Sequence, residues 1–109
     1  MRIQMAWALL ALAGMLEIVW ALALKQADGL TRFWPSVIGV SVAMLSLVLL
    51  GLALKHLPVG TAYAIWVGIG AFGVAAFGAL LLGEHMSSAK LLFLGLIGIG
   101  VAGLRIIES

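Results

Sequence analysis

Hydrophobic positions in this chain fall into four long runs, separated by three short polar breaks. The runs occupy roughly Ile3–Leu24, Trp34–Leu54, Pro58–Leu82 and Ser87–Ile107. As helices, each is long enough, or nearly so, to cross about 30 Å of hydrocarbon. The first break, Lys25 to Arg32, carries a turn signal at Asp28-Gly29. The second, Lys55-His56-Leu57-Pro58, is tighter and puts Pro58 where a first helical turn tolerates it. The third runs from Gly83 to Ser88, with glycine to close one helix and serines to cap the next. Breaks this short force neighbouring spans to be antiparallel. The pattern predicts an all-α membrane protein, with residues 1–109 forming a single four-helix transmembrane domain.

Composition agrees. Of the 109 residues 65% are hydrophobic and 9% charged, far below the roughly 25% charged usual in soluble domains. A soluble fold of this size has too little interior to hide so much apolar surface, so lipid is the expected surround and the cell membrane the expected location. There is no cysteine, which removes disulfides and thiolate metal sites. The six basic residues are scattered along the chain rather than clustered, so nucleic acid is not an expected partner. Arg2 and Ala21-Leu22-Ala23 mimic a signal peptide, but the run is too long and Glu17 interrupts it.

Glu17 is the only charge between Ile3 and Leu24. A carboxylate at the centre of a membrane helix costs about 2.5–3.5 kcal/mol on insertion scales and marks a functional site by default. Helical spacing puts Gly14, Glu17 and Ala21 on one face, with Trp20 beside them. In low dielectric such an acid binds either a proton or a cation, and the two compete. If the protein changes its exposed face only when the acid is neutralised, proton entry drives cation exit.

The third run places Tyr63, Trp66 and Gly70 on one helix face, and its phenol and indole groups seek partners when buried. Both residue types also populate membrane interfaces. Gly68-Ile69-Gly70-Ala71-Phe72-Gly73 matches GxGxxG formally, but no strand precedes it, so a dinucleotide site is not expected. Gly68, Gly70 and Gly73 are read instead as points of helix flexibility, because about 25 residues would measure roughly 37 Å if straight. Ser46, near the middle of the second run, either bonds its own helix backbone or orients the Glu17 carboxylate. Glu84-His85 lacks metal-site spacing. No nucleophile–base pair appears, so an enzyme, a cofactor and a metal are all unexpected.

With four spans, Arg2, Lys55 and Arg105 fall on one side of the membrane and Lys25, Arg32 and Lys90 on the other. This balance leaves almost no positive-inside bias, so the chain is expected to insert both ways and to pair with an inverted copy. Four helices are also too few to enclose a pathway around Glu17. Gly95, Gly98 and Ala102 form a small-residue stripe in the last run, with Gly100 and Gly103 nearby, and supply a packing face for a homodimer.

The chain resembles the small multidrug resistance family, and in particular its guanidinium exporter branch. The motifs are Gly14-x-x-Glu17-x-x-Trp20-Ala21, Leu24-Lys25, and Gly29-x-Thr31-Arg32-x-x-Pro35-Ser36. They continue through Leu57-Pro58-x-Gly60-Thr61-Ala62-Tyr63-Ala64-x-Trp66-x-Gly68-x-Gly70, and the likeness covers essentially the whole chain. The resemblance implies a prokaryotic multi-pass membrane protein that forms an antiparallel, dual-topology homodimer. It implies proton-coupled export through a pocket centred on Glu17, with Gly14, Trp20, Ser46, Tyr63 and Trp66 around it. Trp20 is the branch marker, whereas Val67 departs from the usual Thr or Ser.

The function expected is a proton-coupled antiporter exporting guanidinium, whose N–H donors suit a carboxylate. The partners are a small cation, protons, lipid and a second copy. The alternative is a proton-coupled exporter of small quaternary ammonium or other cationic antimicrobial compounds, which make no N–H bonds and need aromatic walls. A rotor-ring subunit is also small, glycine-rich and acidic, but such subunits are usually two-span hairpins with the acid in the later span.

Overall fold

The computed structural model describes residues 3–108. Four helices follow one another, α1 (Ile3–Gln26), α2 (Phe33–Ala53), α3 (Val59–Leu82) and α4 (Ser88–Glu108), and the described residues contain no strand. All four are long and apolar enough to cross a membrane.

The breaks between the helices obey local chemistry. After α1 the chain reverses through Asp28, Gly29 and Leu30, all at positive φ (51°, 71° and 67°). The Thr31 hydroxyl donates to the Asp28 carbonyl at 2.7 Å and so braces this turn. Pro58 stands just outside α3 rather than in its first turn, with an extended backbone (φ −60°, ψ 136°). The proline ring disfavours helical conformation in the residue before it, which ends the α2 approach and lets α3 start at Val59. Gly83 closes α3 in the left-handed region (φ 69°), where glycine pays no steric penalty. Ser87 caps α4, its Oγ accepting the Lys90 N–H at 3.1 Å.

The helices form a thin layer, with extents of 39 × 34 × 17 Å. Helix α1 lies between α2 and α3, and α4 packs on the far side of α3. The core is a small cluster near one end, built from Ala6, Leu10 and Ala13 of α1, Leu50 and Ala53 of α2, and Ala62, Ile65 and Trp66 of α3, with Leu57 beneath. Small residues let the backbones approach, because in lipid helix association rests on close packing rather than on the hydrophobic effect.

Helix α4 has no buried residue. Two side-chain links secure its C-terminal half. Arg105 stacks over the Trp7 ring of α1, 4.4 Å from its centroid, and Thr61 at the start of α3 donates to Glu108 Oε1 at 3.0 Å. Of the two sets of basic residues, Lys55 and Arg105 lie at one end of the helices and Lys25, Arg32 and Lys90 at the other, whereas Arg2 lies outside the described residues.

Candidate functional site

Glu17 sits two-thirds of the way along α1, on the side that meets α3. The two helices interdigitate there through gaps that glycines leave. Ile69 of α3 fills the gap at Gly14, where a Cβ would lie 2.9 Å from Ile69 Cγ2. Glu17 fills the gap at Gly70, and Ile18 fills the gap at Gly73. Gly68 faces the other way and takes Val101 of α4.

These glycines are therefore occupied spaces. Helix α3 is continuous from Val59 to Leu82, and at Gly68, Gly70 and Gly73 alike a side chain of a neighbouring helix occupies the space beside the backbone. What each supplies is the absence of a side chain where a neighbouring helix needs room.

The carboxylate is half-buried in this packing, and its Oε1 is buried with no hydrogen-bond partner among the described residues. The indole Nε1 of Trp20, one helical turn further on, is orphaned in the same way. Buried polar atoms are nearly always paired, and here an acceptor and a donor are left open on adjacent turns of α1.

Among the described residues, Ser46 is the one fully buried polar side chain. It does not bond the carboxylate, and it does not bond its own helix. Its hydroxyl donates to the Ala13 carbonyl of α1 at 2.8 Å and accepts the Trp66 indole N–H of α3 at 3.1 Å. One hydroxyl thus ties three helices. Its single proton is committed to Ala13, which is why the carboxylate cannot receive it in this arrangement.

Trp66 is buried, whereas Tyr63 is 54% exposed and leans on the Trp66 ring at 5.4 Å between centroids. Val67, where the chain departs from the family pattern, is also exposed on α3. Four clefts among the described residues hold about 310, 320, 170 and 320 Å³ and are lined mainly by apolar side chains; Glu17 borders none of these four.

The glycine stripe of α4 is divided. Gly98 is in van der Waals contact range of Phe72 on α3 of the same chain, whereas a Cβ at Gly95, Gly100 or Gly103 would meet nothing. Ala102 is exposed. Two features escaped the sequence reading: the Ala13 carbonyl as the serine's acceptor, and Gly70 as the space that receives Glu17. The only prior signal for the second was three glycines crowded into six residues of an apolar run.

Comparison with known proteins bears on what such a site serves. The family described as Small Multidrug Resistance protein matches residues 5–97. The protein named guanidinium exporter in Salmonella typhimurium strain LT2 is 54% identical over 102 residues, spanning 94% of this chain and 97% of that one. Proteins of the same name in Citrobacter freundii and Yersinia pseudotuberculosis are 52% and 50% identical, each again over 94% of this chain and over 97% and 98% of their own length. With four spans and bacterial relatives, the chain is a multi-pass protein of the prokaryotic inner membrane. It matches these proteins over nearly their full length, and it belongs to the small multidrug resistance family.

Proposed function

We propose that this protein is a proton-coupled antiporter that exports guanidinium by alternating access, working as an antiparallel homodimer. The observation that carries this reading is the pair of orphaned buried groups, Glu17 Oε1 and Trp20 Nε1, on a membrane-spanning helix. Proteins named guanidinium exporter that are 50–54% identical over nearly the same length favour this substrate.

The chemistry follows from the groups present. Guanidinium is planar and carries N–H donors on every side, and a carboxylate accepts such donors strongly. The Trp20 and Trp66 rings add faces that attract a cation. A proton occupies the same acceptor, so cation and proton exclude each other. Exchange follows if the open side switches only when Glu17 is neutralised by one or the other.

A second, inverted copy completes the pathway in this reading. A single chain leaves α4 without buried residues and Tyr63 exposed, and Glu17 lines none of the four clefts given above. A partner lying against α4 and over the Glu17 face would turn a surface into an enclosed site.

The test is transport in proteoliposomes under a pH gradient, with guanidinium compared against a small tetraalkylammonium and a bulky aromatic cation. Guanidinium should move uphill against the proton flux. Absence of gradient-driven guanidinium movement would overturn the proposal, and a preference for quaternary ammonium would move the drug-exporter reading ahead.

A further inference from the structure

We infer that Gly70 is a positioning residue for transport: the space left by its missing side chain is the seat that holds the Glu17 carboxylate. This rests on the reading of Glu17 as the group that exchanges cation and proton.

Two glycines of α3 leave space that a carboxylate enters: Gly78, near the end of the helix, takes Glu84 from the following loop, and Gly70, within the span, takes Glu17 from another helix. A Cβ at Gly70 would fall on Oε2 and Cδ of Glu17 and would stand 3.0 Å from the Glu17 Cβ. At Gly68 and Gly73, in the same run, the space is taken by the apolar ends of Val101 and Ile18. Gly70 is buried and helical, so it needs no unusual backbone freedom. Its contribution is volume.

The seat is also bounded. On α3, Ile69 precedes it and projects into Gly14; three residues on, Gly73 receives Ile18. These two apolar contacts flank the carboxylate on either side along the helix. With the Oε2 side lodged against α3, the other oxygen, Oε1, is left buried and open for a donor. The acid is thus located by packing rather than by hydrogen bonds, and it can trade a proton for a cation without first breaking a bond to the protein.

A seat and a hinge respond differently to mutation. A hinge is sensitive to helix stiffness, whereas a seat is sensitive to the size of residue 70 and to the length of the side chain it receives. In Gly70→Ala the new methyl meets chiefly the carboxylate end of a flexible side chain, with the Glu17 Cβ 3.0 Å away, so the carboxylate moves more than the helices do and the fold persists. Shortening that side chain by one methylene, in Glu17→Asp, makes the room again.

The experiment compares wild type, Gly70→Ala, Glu17→Asp and the double variant for guanidinium affinity, followed by tryptophan fluorescence and by transport in proteoliposomes. Misplacing a binding group by about 1 Å costs up to roughly 100-fold, so Gly70→Ala should weaken guanidinium by about 10–100-fold. The double variant should return to the level of Glu17→Asp alone. Losses that multiply in the double variant would assign Gly70 to helix stiffness or general packing and overturn the inference. A second readout does not depend on the substrate. The carbon-13 resonance of the Glu17 carboxyl, assigned through its loss in Glu17→Gln, should move in Gly70→Ala and stay in Gly100→Ala, where a methyl meets nothing. An unmoved resonance in Gly70→Ala overturns the seat, whereas wild type that fails to bind guanidinium overturns only the transport reading.

Discussion

The indole N–H of Trp66 donates to the Ser46 hydroxyl at 3.1 Å, a bond between α3 and α2, which otherwise barely meet. Because the same hydroxyl donates to Ala13, Ser46 fastens α2 and α3 to the central helix at one buried point. Ser46→Ala removes this point and leaves the Trp66 donor buried without a partner. Such a loss costs about 1–3 kcal/mol, so the unfolding midpoint in detergent should fall accordingly. Guanidinium affinity should fall with it as the Trp66 ring loses its anchor. An unchanged midpoint would mean that water or lipid satisfies the indole and that the bond contributes little.

Glu17→Gln keeps the side-chain shape and removes the titrating group. The variant should fold and insert as wild type does, yet lose all proton-coupled exchange. Flux measurements in proteoliposomes decide this, and uphill export of guanidinium by a well-folded Gln variant would sink the mechanism.

Trp20→Ala removes a ring one helical turn from Glu17 together with its orphaned N–H. Loss of a cation–π face is expected to weaken guanidinium by about 0.5–2 kcal/mol. The enlarged space should at the same time admit bulkier apolar cations. Proton-coupled currents recorded with both classes of cation test this, and a uniform loss for both would assign Trp20 to scaffold packing.

Gly68 and Gly100 provide a matched pair. A methyl on Gly68 would overlap Val101 Cγ2, the end of a stiff β-branched side chain. Gly68→Ala should therefore destabilise by about 1–3 kcal/mol, and Val101→Ala should relieve most of that loss in the double variant. Gly100→Ala meets nothing within one chain and should be neutral or slightly stabilising. Strong destabilisation by Gly100→Ala would place a second copy against that surface.

The proposed dual topology rests on six basic residues that the four spans divide three against three. Tags on the C-terminus should report both sides of the membrane. Two or three lysines added to the loop after α2 should fix one orientation and depress activity, and co-expression with an oppositely biased copy should restore it. A wild-type chain found in one orientation only would refute the antiparallel dimer.

How much of this was legible in the chain itself follows from the range of the interactions concerned. Four apolar runs, the turn at Asp28-Gly29, the glycine that ends α3 and the serine that caps α4 are matters of neighbouring residues, and local sequence suffices for them. So is the isolation of Glu17, because a lone carboxylate among apolar neighbours is costly wherever the helix lies in the membrane. Helical spacing alone also puts Gly14 and Glu17 on one face, and in the structure both meet α3. Which group enters which gap was decided only when the helices docked. Whether Ser46 would bond its own helix, the carboxylate or α1, and whether Gly70 would bend α3 or receive Glu17, depends on the relative shift of two helices along their axes. A shift of one residue, about 1.5 Å, would bring a different side chain to each glycine. That register is the joint outcome of Ile69 into Gly14, Glu17 into Gly70 and Ile18 into Gly73, a three-dimensional fit that no single stretch of the sequence contains.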